Sequence, residues 1–155
     1  MEQAYQQMQR KLRITKLDEE IKHKIMVLSG KGGVGKSTVA TGLALSLARR
    51  GMKVGLMDID ITGPNVPKML GLDDAELNVE DGQIFPAGGP HRGRVISMAV
   101  LNQDPDQPGV WRGSTQLGAI QQLVGDLAWG ELDARLVDCA AGASRAAHTP
   151  HRTPP

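Results

Sequence analysis

Eight consecutive residues, Gly30-Lys31-Gly32-Gly33-Val34-Gly35-Lys36-Ser37, match G-x-x-x-x-G-K-[ST] at every fixed position. Glycines at this density let the backbone curl so that successive N–H groups point inward around a phosphate chain. Lys36 adds a cation that can reach β- and γ-phosphates, and the Ser37 hydroxyl is a hard oxygen ligand suited to Mg²⁺. Three carboxylates complete the chemistry. Asp58 and Asp60 are separated by one residue, and Asp138 follows an apolar run of its own. Two acids beside a Mg²⁺–phosphate site suit outer-shell metal coordination and orientation of an attacking water, and Asp138 suits holding a Mg²⁺-bound water.

Position along the chain says which elements must carry these groups. Ile25 to Leu28 has the apolar pattern of a strand buried on both faces of a parallel sheet. A helical pattern follows the glycines, with Val39, Leu43 and Leu47 on one face and Ala40, Ala44 and Ala48 beside them. Gly51 then stands at a helix C-cap, after Arg49 and Arg50. Strand, loop and helix in that order place a phosphate at the helix N-terminus. Lys53 to Met57 reads as a second buried strand, Val95 to Val100 as a third and Ala134 to Val137 as a fourth. Ser114 can cap a helix over 115–124 whose apolar face is Leu117, Ile120 and Leu123. The fold class is therefore α/β, a mostly parallel sheet flanked by helices, with the acids at the carboxyl edge where such sheets bind ligands.

The remaining residues carry less. Residues 1–23 are polar, with Tyr5, Met8 and Leu12 at helical spacing, and read as a short amphipathic helix or a frayed arm. Trp111 and Trp129 read as packing residues. His23 and His91 lack spaced companions for a metal site, and Gly88-Gly89-Pro90 reads as a turn.

Composition narrows the classes. The 155 residues suffice for one domain with a core. A net charge of +1 without a basic run gives no footing for nucleic acid, and an aromatic content of 3% leaves little for base stacking. No stretch approaches the length of a membrane helix, and the polar N-terminus is unlike a signal peptide, so the expectation is a cytoplasmic protein with no membrane partner. The single cysteine, Cys139, excludes an intrachain disulfide and a self-contained cysteine metal site.

The lysine after the first glycine adds a family signal. G-K-G-G-V-G-K-S-T resembles the deviant Walker A loop of the MinD–ParA–Mrp superfamily of dimerising P-loop ATPases. The resemblance implies ATP held by Gly30, Lys31, Gly32, Gly33, Val34, Gly35, Lys36, Ser37 and Thr38, with Mg²⁺ at Ser37, Asp58 and Asp138. It also implies Mg²⁺-dependent hydrolysis through Lys31, Lys36 and Asp60. In that family the equivalent of Lys31 crosses a homodimer interface to the partner's nucleotide, and that of Asp60 positions water. The run D-I-D-I-T-G-P-N-V-P-K-M-L-G-L, then V-W-R-G and W-G-E-L-D, is similar to the Mrp branch of ApbC-like iron–sulfur cluster carriers. That branch implies iron–sulfur client apoproteins as partners.

After Asp138 the pattern departs from this family. The family continues D-L-P-P-G-T-G-D, whereas this chain has Cys139-Ala140-Ala141-Gly142-Ala143-Ser144-Arg145, of which only Gly142 agrees. Residues 24–138 are therefore expected to form the N-terminal part of a P-loop ATPase domain, incomplete on its C-terminal side. Residues 139–155, rich in Ala, Arg, His, Thr and Pro, are expected to be a disordered, non-family tail from a truncated or out-of-frame ending. The C-x-x-C pair that holds a bridging 4Fe-4S cluster in the family is absent. The expected function is an ATP-binding and ATP-hydrolysing carrier of iron–sulfur clusters, with weak or absent turnover in this chain. Two alternatives stand beside it: a ParA- or MinD-like positioning ATPase, and a truncated product without function.

Overall fold

The computed structural model describes residues 2–60, 63–76, 78–98, 124 and 126–141. A helix, α1 (Glu2–Glu19), leads into β1 (His23–Val27), α2 (Lys36–Arg49), β2 (Val54–Asp58) and a one-turn helix, α3 (Val66–Leu70). Then come the short strands β3 (Asn78–Glu80), β4 (Gln83–Phe85) and β5 (Ala87–Gly88), followed by β6 (Arg94–Ser97) and β7 (Ala134–Asp138). β3 and β4 form a separate hairpin through Asp81-Gly82, both at positive φ, as a two-residue turn of type I′ requires.

The main sheet has the order β1-β7-β2-β6-β5. All neighbours are parallel except β5 against β6. The last strand in sequence lies between the first two, so its C-terminal Asp138 is flanked by Val27 and Asp58 in register. Every residue of β2 is buried, and the period of two divides its side chains between two cores. Val54 and Leu56 pack with Ala134, Leu136 and the alanines of α2. Met57 packs on the other side with Ile96, Met98, Trp129 and Leu132. Trp129 is buried, as its reading as a packing residue requires. Gly55 makes room for it: a Cβ there would lie 2.7 Å from atoms of both Trp129 and Leu132.

Two expectations about burial are corrected. β1 is not buried on both faces: Ile25 and Val27 pack beneath α2, while Met26 is 61% exposed. Among the described strands β1 pairs only with β7, at the sheet's end, where only one face is covered. On α2 the fully buried stripe is Ala40, Thr41, Ala44 and Ala48, with Leu43 and Leu47 at its flank and Val39 exposed. Small side chains let the helix backbone lie close on the sheet, which turns the larger residues outward.

The helix ends follow their sequence signals. Gly51 (φ +86) donates its N–H to Ala48 O at 3.0 Å, and Met52 donates to Leu47 O at 3.3 Å, closing α2 in a Schellman motif. Residues 2–19 form a continuous helix on which Tyr5, Met8 and Leu12 remain exposed. The third strand is β6, of which only Arg94–Ser97 is assigned; Ala99, Val100, Trp111 and nearly all of the expected helix over 115–124 lie outside the described residues. Cys139 is buried and its N–H donates to Val27 O. Residues 142–155 of the expected tail lie outside the described residues.

Candidate functional site

The loop after β1 turns at Gly33 (φ +71) and Gly35 (φ +88), backbone conformations that a side chain would strain. Gly35 is also the N-cap residue of α2, with no side-chain cap. A glycine N-cap supplies no oxygen to the first N–H groups of the helix, so they face the cavity in front of the loop. Ser29 Oγ donates to Lys31 O at 2.7 Å, folding the start of the loop onto itself.

That cavity measures about 370 Å³. Lys31, Gly32, Gly33, Gly35, Lys36, Ser37 and Thr38 line it from the loop and α2, and Asp60, Asn65, Lys68 and Met69 line it from the segment after β2. Three lysines and one acid among these residues give the cavity a positive balance suited to a polyanion. Of the residues expected to touch nucleotide, Gly30 and Val34 belong to the loop but not to this lining, and Val34 is exposed.

Lys36 and Asp138 meet beneath the loop. Lys36 Nζ pairs with Asp138 Oδ1, with both side chains almost fully buried. The second oxygen, Asp138 Oδ2, is buried without a hydrogen-bond partner among the described residues. A buried carboxylate oxygen held open in this way is suited to a water or a cation.

Asp58 stands differently. It is completely buried at the end of β2 and absent from the cavity lining. Its Oδ1 accepts the N–H of Asp60 at 3.0 Å, and its Oδ2 accepts the N–H of Val66 at 3.3 Å and the Ser97 hydroxyl at 3.4 Å. Burial pushes its pKa up to about 6, against the pull of its two backbone hydrogen bonds; the charges of Asp138 and Asp60 add to the rise. The loop residues, Lys36, Ser37 and Asp60 are therefore brought together, whereas Asp58 and Asp138 lie behind the cavity wall.

Sequence reasoning missed α3 and with it Asn65, Lys68 and Met69. The signals were present: Asn65 and Pro67 at a helix start, and Gly71 (φ +68) at its end, where Leu72 donates to Pro67 O at 2.8 Å. Among the described residues no group of three His, Cys, Asp or Glu side chains is placed to hold a metal. No helix there is long and apolar enough to cross a membrane.

Comparison with known proteins decides the family. The family model described as ParA, NUBPL iron-transfer P-loop NTPase, matches residues 20–149. The chain belongs to this NTPase family. An iron–sulfur cluster carrier protein of Saccharolobus solfataricus is 48% identical over 80% of this chain and 42% of its own length. A cytosolic Fe-S cluster assembly factor NUBP2 homolog of Dictyostelium discoideum is 44% identical over 81% of this chain and 48% of its own. Among solved structures, a nucleotide-binding protein of Archaeoglobus fulgidus in complex with ADP is similar, with a TM-score of 0.72 and 36% identity. That match covers 86% of this chain and 51% of the other. The chain thus spans about half the length of the NUBPL-family relatives it matches, and the α/β P-loop NTPase fold is shared with them.

Proposed function

We propose that this chain carries the ATP- and Mg²⁺-binding site of a cytosolic ATPase that assembles or delivers iron–sulfur clusters. The observation that supports this most is the glycine-capped start of α2 facing a lysine-lined cavity, with Lys36 seated on the buried Asp138 behind it. Uncapped N–H groups and the helix dipole favour the phosphate chain, and Lys31, Lys36 and Lys68 neutralise it.

Ser37 and Asp138 are the residues that fit Mg²⁺, the first as a hydroxyl ligand and the second through its open oxygen and a bridging water. Mg²⁺ bound there would neutralise charge on the phosphate oxygens. Asp60, on the cavity wall, orients the attacking water. Lys31 is exposed at the cavity mouth, where it can serve a partner's nucleotide across a homodimer interface. The iron–sulfur cluster is cargo. Cys139 is buried, and burial raises its thiol pKa, which disfavours it as a cluster ligand.

Steady-state phosphate release from ATP by the wild-type chain and by Lys36→Ala tests the reading. Turnover that disappears in the variant supports it; equal, substantial rates contradict it.

A further inference from the structure

Asp58 has no contact with the cavity, yet its hydrogen bonds organise the segment that forms one wall of it. The two carboxylate oxygens accept from residue 60, two positions on, from residue 66, eight positions on, and from Ser97 on the neighbouring strand. Ser97 is the register partner of Asp58, so this third bond ties the end of β2 to β6. Asp60 extends the arrangement by accepting the N–H of Gly63 at 3.1 Å. Asp60 and Val66, the first residue of α3, are therefore both fixed to one buried carboxylate. The segment carries Asp60 to the cavity, and the helix it leads into carries Lys68.

A carboxylate has roughly four lone-pair positions, and three donors already occupy this one. A metal ion would find one lone-pair position left, in a site with no solvent exposure and outside the cavity lining. By contrast, Asp138 has an oxygen to spare. Resting on the phosphate-site reading, we propose that Asp58 is a positioning residue and not a metal ligand: it holds Asp60 and the start of α3 so that Asp60 and Lys68 face the phosphate chain.

The test uses the full chain with Asp58→Asn and Ser97→Ala. Asparagine keeps one acceptor oxygen and replaces the other with a donor, which cannot receive an N–H. Ser97→Ala keeps the carboxylate and removes one tie. Amide hydrogen exchange without nucleotide gives the first readout. Protection at Asp60 and Val66 should fall about tenfold in Asp58→Asn, and less in Ser97→Ala, while Leu56 and Ala44 keep theirs. Binding of the fluorescent analogue mant-ATP against Mg²⁺ concentration gives the second. The half-saturating Mg²⁺ should stay within about twofold of wild type, as for a residue outside the metal's shell. Where ATP turnover is measurable, kcat normalised to the nucleotide-binding fraction should fall roughly tenfold, a loss that a mere drop in folded protein does not produce.

Unchanged protection at both amides would overturn the proposal, and so would an Mg²⁺ requirement raised well beyond twofold. If Asp58→Asn fails to fold, Ser97→Ala decides, since full protection at Val66 in that variant is equally contradictory. A wild-type chain that does not bind mant-ATP contradicts the phosphate-site reading instead, and the exchange experiment still settles the positioning role of Asp58.

Discussion

Asp58 and Asp138 are register partners on adjacent parallel strands, yet their carboxylates meet opposite surroundings. Asp138 faces the Lys36 ammonium, while Asp58 is satisfied by two backbone N–H groups and a hydroxyl. One row across the carboxyl edge of the sheet thus holds a charge-paired acid beside an acid bound, among the described residues, to neutral donors only. The difference follows from which groups come near each acid: α2 begins with Lys36 beside Asp138, whereas the N–H groups of Asp60 and Val66 reach Asp58.

The burial of Asp58 makes stability depend on pH. An acid whose folded pKa stands above its unfolded value contributes stability that is full below the unfolded pKa and is lost as pH rises through the folded one. For Asp58 that window runs from the ordinary 3.8 to about 6. A displacement of about two units corresponds to roughly 3 kcal/mol. The unfolding free energy of wild type minus that of Asp58→Asn should therefore decline by about that amount between roughly pH 4 and pH 7. Urea denaturation at several pH values measures it, and a pH-independent difference contradicts it.

Breaking the Lys36–Asp138 pair from either side should be worse than removing both charges. Lys36→Met leaves a buried carboxylate with no cation, and should destabilise by about 3 kcal/mol. Lys36→Met combined with Asp138→Asn removes the uncompensated charge and should recover much of that loss. A double-mutant cycle by urea unfolding provides the check. Additive effects, each within about 0.5 kcal/mol of zero, would show that the pair is unimportant.

Gly55→Ala should destabilise without touching the nucleotide site. The added methyl would sit 2.7 Å from both Trp129 and Leu132, so these buried side chains would have to shift. Overpacking of this kind costs about 1–3 kcal/mol. A midpoint shift of that size with Mg²⁺–ATP affinity unchanged in the folded protein is the expected result. Wild-type stability would contradict the packing described for Trp129.

Much of this arrangement was legible in the sequence because local signals agreed with the global fold. The glycine loop, the alternation of apolar runs with helical spacing, and Gly51 after Arg49-Arg50 each specified a local geometry that the structure contains. Where β7 inserts is a matter of pairing between distant segments, which periodicity does not encode. For that reason β1 read as fully buried although Met26 is exposed at the sheet's end. The alanine stripe of α2 escaped because hydrophobicity ranks Val39 above Ala40, whereas close packing on the sheet favours the smaller residue. Asp58 and Asp60 share a spacing of two that treats them alike. Only the turn after β2, closed by Val66 and Ser97, separates their environments.

The most direct test of the central claim is calorimetric titration of the wild-type chain and Lys36→Ala with ATP, ADP and AMP in the presence of Mg²⁺. The phosphate-loop account predicts wild-type binding of ATP and ADP in about the micromolar range, much weaker AMP binding, and a loss of roughly tenfold or more in Lys36→Ala. Binding of AMP as tight as ATP, or ATP affinity unaltered by Lys36→Ala, would show that the loop is not where the nucleotide is held.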